Sequence, residues 1–320
     1  MRRFTGLVVV MLALFMIVTA AQALTSAGPH APAGVPADFV VTPFGYFHPS
    51  CVKHLAEGDV LREDMNAVQH ANGMFENVQQ CAFPHFRADG EKVTGAEPAA
   101  TQPPDISHAW IEYASIHDVQ NYAEIYAQWQ VPPSPTNADG QTLYFFNGLE
   151  AYKNDLTIIQ PVLGWNSDYA NAWGIAAWNC CLSGNTWEAT PQHTASGHSL
   201  EGYIVTTCAS GVKNCSQWDI VIIDDATGAF SEMNDAPSNG QTFNWAFGGV
   251  MEVYNIIQCG DYPAGESSGY GGALGFNNQI VLNYNYAPVN PAWKVSNVSG
   301  GLTPQCNYGG SVPKQVILNY

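Results

Sequence analysis

The sequence predicts an all-β fold, a β-sandwich or jelly roll with a small N-terminal accessory module, and three observations carry that prediction. Short runs of aromatic and β-branched residues recur from about His108 to the C-terminus, broken by turn signals every dozen or so positions. No long helical period competes with them. Only 12% of residues are charged while 30 Gly, 20 Pro, 15 Tyr and 9 Trp are present, the balance of a turn-rich β protein.

In chain order, Arg2 and Arg3 precede an apolar run over residues 7–18 that ends at Ala21-Gln-Ala23, a small-x-small pattern. The run is shorter than the ~20 residues of a spanning helix. Residues 1–23 are therefore expected to be a signal peptide and the mature chain to begin at Leu24, in a secreted or periplasmic protein with no membrane attachment after cleavage. About 300 residues then remain, enough for a substantial core. Residues 24–104 are irregular: Pro-rich over 29–43, with a short helix expected at 63–71 and a Gly/Pro/Ala-rich linker over 90–104. This module reads either as a disulfide-stapled subdomain or as a propeptide that must be removed or displaced. Residues 105–320 form the β domain, with strands expected at 122–130, 142–146, 156–162, 173–179, 200–206, 218–223, 250–257, 279–286 and 315–319. No internal repeat is present.

The net charge of −17 excludes nucleic acid and anionic membrane surfaces as partners. Few carboxylate–lysine pairs are available to be lost on acidification, which suits work in acid. Eight cysteines in an exported chain, without C-x-x-C or His-paired spacing, read as a disulfide set. The expected pairs are Cys51 with Cys81, Cys208 with Cys215 and Cys259 with Cys306; Cys180 and Cys181 either bridge each other or stay reduced.

Absences narrow the chemistry: there is no G-x-S-x-G, H-E-x-x-H or Gly-rich phosphate loop. His193 and His198 lack a third ligand nearby, so neither a metal nor another cofactor is expected. Two polar residues stand out in apolar strands. Gln160 lies in Thr157-Ile-Ile-Gln-Pro-Val-Leu-Gly-Trp165, and Glu252 in Phe247-Gly-Gly-Val-Met-Glu-Val-Tyr254. Strict alternation would let either face solvent. On a buried face, however, a carboxylate's affinity for protons rises, and it then serves as base and acid in turn.

Four segments resemble, in order, the eqolisin family of glutamic peptidases, and more distantly the neprosin type. They are Ala127-Gln-Trp-Gln-Val-Pro-Pro133, Phe146-Asn-Gly-Leu-Glu150, Ile158-Ile-Gln-Pro161 and Val250-Met-Glu-Val-Tyr254, and the ten-residue step from Glu150 to Gln160 agrees with the family spacing. Asn171-Ala-Trp173, Ser196-Gly-His-Ser-Leu200, the stretch 218–228 and Phe247-Gly-Gly249 also resemble family text. Each motif is short; their shared order over roughly 140 residues makes the resemblance. Pro161, the run Asn179-Cys-Cys181 and Phe146 in place of a tryptophan depart from the pattern, so substrate preference does not carry over.

The resemblance implies a polypeptide substrate and a monomeric endopeptidase active in acid. Glu252 would take a proton from a water held between it and Gln160, and Gln160 would donate to the oxyanion. Glu150 would orient the glutamine through a hydrogen bond, while Phe146, Trp165 and Trp173 would line an aromatic cleft. Two other readings compete: a non-catalytic module that binds carbohydrate or a surface through its many Tyr and Trp, and a glycoside hydrolase or lyase pairing Glu150 with Glu252.

Overall fold

The computed structural model of the chain describes residues 24, 28, 31–62, 67–93, 110–152, 157–181, 184–265, 272–297, 306–312 and 315–320. The expected signal peptide, residues 1–23, and most of the expected linker over 90–104 lie outside them. Among the described residues no helix is long and apolar enough to cross a membrane.

The N-terminal part holds short strands: β1 (Val40–Thr42), β2 (Gly45–Phe47), β3 (Val52–Leu55), β4 (Val60–Leu61), β5 (Ala67–Gln69), β6 (Phe75–Asn77), β7 (His85–Phe86) and β8 (Lys92–Val93). The helix expected at 63–71 is not there where the chain is described. Ala67–Gln69 pairs with both β4 and β6, because its alternating apolar Val68 seals a three-stranded meander. The β domain follows with β9 (Trp110–His117), β10 (Tyr122–Gln130), β11 (Thr142–Glu150), β12 (Ile158–Trp165), β13 (Trp173–Cys180), β14 (Thr186–Ala189), β15 (Gln192–His193), β16 (Ser199–Thr206), β17 (Gln217–Asp224) and β18 (Phe230–Pro237). After these come β19 (Trp245–Tyr254), β20 (Ala273–Asn283), β21 (Lys294–Asn297), β22 (Gly309–Ser311) and β23 (Val316–Asn319).

These strands build a sandwich. One sheet has the order β18-β17-β16-β10-β20-β23-β22, the other β21-β9-β19-β11-β12-β13-β14-β3, with β15 beside β13. The sequence pattern explains the division. Strands β16 and β17 alternate buried and half-exposed residues, as expected of a sheet with one face in water, whereas β11, β12, β13 and β19 are buried throughout. Those four therefore have both faces covered. Their inner face contributes Leu143, Phe145, Leu149, Ile159, Leu163 and Ile175 to the core between the sheets. Their outer face contributes Tyr144, Phe146, Val162, Trp178, Val250 and Tyr254 to a second core, which is completed by Phe39, Val41, Tyr46 and Phe47 of the N-terminal part. Strand β3 also joins this sheet, parallel to β14.

Disulfides connect Cys51–Cys81, Cys208–Cys215 and Cys259–Cys306, as expected, and the open question over the adjacent pair resolves to a bond between Cys180 and Cys181, joined by a cis peptide.

Candidate active site

Gln160 and Glu252 lie on the same face of the nine-stranded sheet. Register decides this: Tyr144 pairs with Glu252 on one side and Gly164 on the other, and Gln160 is four residues from Gly164 along β12, an even step that keeps it on that face. The same face carries Phe146, opposed to Val162 and Val250. The two polar residues are not level, however. With strands about 4.8 Å apart and about 3.4 Å per residue, their backbones stand roughly 10 Å apart across β11 and roughly 13 Å apart along the strands.

Both are buried, Gln160 at 0% and Glu252 at 1% exposure. The Tyr254 hydroxyl donates to Glu252 Oε1 at 2.5 Å, while Glu252 Oε2 and Gln160 Oε1 are buried without hydrogen-bond partners. Burial pushes the Glu252 carboxyl up to about 8, against the hydrogen bonds from Tyr254 and Trp110. Tyr144 stands in the same row as Glu252; its hydroxyl is 3.2 Å from Ser167 Oγ and feels the charges of Asp168, Glu252 and Glu188.

The lid over this face is the chain's own N-terminal part. Tyr144 donates to the carbonyl of Val41 at 3.5 Å and Gln160 Nε2 to that of Pro43 at 3.4 Å. The Phe44 ring meets Trp178 edge-on at 5.9 Å, and the Tyr46 ring meets Tyr254 at 5.4 Å. The amide of Gln160 is thus engaged by Pro43 rather than by Glu150. Glu150 sits on the neighbouring strand opposite Ile158, one diagonal step from Gln160 and on the same face.

Two expectations need correction. Trp165 and Trp173 do not line this face: they oppose each other across β12 and β13 with ring centroids 5.3 Å apart, inside the core between the sheets. Their positions along the strands have the opposite parity to Gln160, which is why they point away from it.

A second acidic pair escaped the sequence reading. In one row of the sheet Gln160 opposes Trp178, Trp178 opposes Glu188, and Glu188 opposes His54 of β3. Asp168, in the turn after β12, feels the charge of Glu188; burial raises both carboxyls, that of Glu188 to about 8. The turn can lie on the sheet because Gly164 and Gly174 have no side chain: a Cβ there would stand 3.0 Å from Ser167 Cβ and 2.7 Å from the Tyr169 ring. His54 Nδ1 is 2.9 Å from Glu188 Oε2. The signal was available, since Glu188 is a lone carboxylate in Thr186-Trp-Glu-Ala189, the pattern that singled out Glu252. Among the described residues no group of three or more His, Cys, Asp or Glu is placed to hold a metal ion.

No protein-family model and no curated protein matches the sequence. Among solved structures the chain is similar to scytalido-glutamic peptidase bound to a transition state analog inhibitor, with a TM-score of 0.46, 14% identity, and coverage of 66% of this chain and 98% of that one. It is similar also to SCP-B, a member of the eqolisin family of peptidases in complex with the tripeptide Ala-Ile-His (TM-score 0.45, 14% identity, 66% and 98%). The CBM2 module of the evolved Dit of Lactobacillus casei BL23 phage J-1 is more remote (TM-score 0.27, 10% identity, 56% and 82%). Likenesses at this level carry no residue's role from those proteins to this chain.

Proposed function

We propose that the chain is an exported glutamic-type endopeptidase that hydrolyses peptide bonds in acid, with Glu252 as general base and Gln160 as oxyanion donor. The observation that carries this reading is the occupant of the face. A length of polypeptide already lies over the two residues, its carbonyls taking the hydrogen bonds that Gln160 and Tyr144 offer. The four disulfides fit an oxidising compartment.

In the proposed reaction Glu252 Oε2 accepts a proton from water while the water oxygen bonds to the scissile carbonyl carbon. The carbonyl oxygen becomes an oxyanion and accepts a hydrogen bond from the Gln160 amide, which needs no titration to donate and is worth a few kcal/mol of barrier. The C–N bond then breaks, and Glu252 returns the proton to the departing amine. While residues 41–46 cover the face, the carboxyl with its raised proton affinity is neutral in acid. Their displacement admits water, lowers that affinity and frees the base.

The test is hydrolysis of an unfolded protein across about pH 2 to 9 by the chain carrying Gly45→Val, which breaks the turn that covers the face. Gln160→Ala and Glu252→Gln should each abolish it while leaving the thermal transition in place, and full turnover in either variant would sink the assignment. The offset between the two residues along the sheet favours a second reading, in which the face binds polypeptide without cutting it. Retained peptide binding with no cleavage at any pH would select that one.

A further inference from the structure

The geometry points to Tyr144 as a second carbonyl donor of the groove, acting beside Glu252, with residues 40–44 tracing the path that a bound peptide takes. This rests on the peptide-binding half of the function proposed above, not on its hydrolytic half. The carbonyl of Val41, in the middle of β1, and that of Pro43, in the turn between β1 and β2, meet two donors on different strands: the Tyr144 hydroxyl on β11 and the Gln160 amide on β12. An extended peptide, whose alternate carbonyls point the same way about 7 Å apart, can offer the same two acceptors.

The direction of the occupant is fixed as well. Val41 pairs with Tyr46 in the β1–β2 hairpin, and Tyr46 stacks edge-on against Tyr254, whose hydroxyl holds Glu252. The Val41 carbonyl is thus the one at the Glu252 end, and Pro43 lies at the far end, by Gln160. A peptide following this path presents to Glu252 the carbonyl that Tyr144 polarises, which answers the offset between Gln160 and Glu252. Gln160 then anchors the carbonyl two residues on. Burial keeps the Tyr144 phenol protonated, so it donates at every pH at which the protein is folded. The Trp178 ring receives Phe44 at the Gln160 end of the path, so that end favours a peptide with a bulky apolar or aromatic side chain.

Gly45→Val in the full chain opens the groove. Gly45 has φ +108°, and a Cβ there would stand 2.1 Å from the Phe86 carbonyl oxygen, so the turn fails through a clash that lies within the N-terminal part. The probe is a fluorescently labelled peptide with the sequence of residues 38–47, its binding read by anisotropy. Gly45→Val should bind it at least about tenfold more tightly than the unaltered chain, whose groove is filled. Adding Tyr144→Phe or Gln160→Ala to Gly45→Val should each weaken binding by about five- to tenfold, the loss of one buried hydrogen bond.

Where the peptide or an unfolded protein is cleaved, Tyr144→Phe should lower kcat at least about a hundredfold with a smaller change in KM. Binding without cleavage leaves the peptide path standing and defeats only the peptidase reading. Equal affinity in Gly45→Val and the unaltered chain, with near-ultraviolet circular dichroism showing Gly45→Val folded, overturns the path. So does undiminished affinity when Tyr144→Phe and Gln160→Ala are both added.

Discussion

Glu252 and Tyr144 oppose each other directly across β19 and β11, and Tyr254, two residues on from Glu252, donates its hydroxyl to the carboxylate. The carboxyl therefore sits in a row of phenols beneath a hairpin, and its proton affinity depends on whether the hairpin is present. In the covered state burial holds it at about 8. A base works only when ionised, so the rising limb of kcat against pH should lie near 8 in any activity the covered chain shows. In Gly45→Val it should move down by two or more pH units, toward the ordinary carboxyl range. A limb at the same pH in both proteins would mean that the hairpin is not what desolvates Glu252.

Stability should follow the same groups with a definite sign. Glu252, Glu188 and Glu112 are each raised by burial from 4.5 to about 8. A group whose folded value is raised contributes stability that is complete below its unfolded value and lost as pH rises through the folded one. The melting temperature should accordingly be highest in mild acid and fall between about pH 4.5 and 8. Two groups act oppositely. The folded value of His54 is lowered by burial, so its contribution is lost as pH falls through that value. Asp224 is lowered by hydrogen bonds from His198 and Thr194 that outweigh its desolvation, so its contribution fades below about 3.8. Calorimetry across pH 3 to 9 reads these trends, and Glu188→Gln should flatten the decline above pH 5. A variant that melts with the unchanged slope would remove Glu188 from the account.

The Cys51–Cys81 bond ties the segment carrying β3 to the chain ahead of β7, and it closes a separation of 30 residues. Loop-closure entropy puts its worth at about 3–4 kcal/mol in the chain-entropy description. Replacing both cysteines by alanine should loosen the N-terminal part more than the sandwich. Hydrogen exchange should quicken at residues 40–55 and hardly change in β16 and β17. Equal acceleration in both regions would show that the two unfold together.

Much of this architecture was legible because alternation survives wherever one face is wet. Strands β10, β16 and β17 fall where the pattern of Tyr122–Gln130 and its successors places them. Where both faces are buried the alternation vanishes, and with it the evidence of which way a residue points. That is why Trp165 and Trp173 were read toward a cleft and lie between the sheets, while Phe146, equally apolar, lies on the Gln160 face. Gln160 and Glu252 announced themselves as polar residues in apolar text, but their offset could not be read, because it depends on the register of β11 with its two partners, one of which, β19, bulges by one residue opposite Phe146–Gly148. The lid was invisible for a related reason: strands of two to four residues in Pro-rich text leave no period to detect.

That bulge brings the last prediction. Around it the two sheets come close, and the Asn147 amide donates to the carbonyl of Gly202 on β16 at 3.3 Å. Gly202 is the position that permits the approach: a Cβ there would stand 2.6 Å from the Trp129 ring and 2.7 Å from Asn147 Oδ1. Trp129 is fully buried and stacks at a tilt on Phe276, so it has no room to retreat. Gly202→Ala should cost about 1–3 kcal/mol through overpacking, seen as a lower denaturant midpoint at unchanged slope. The effect should reach the site, since pushing the sheets apart strains β11 between Phe146 and Gly148 and shifts Tyr144 against Glu252. Peptide affinity measured in the Gly45→Val background should therefore fall when Gly202→Ala is added. Unchanged affinity alongside reduced stability would show that the bulge insulates the outer face from the core.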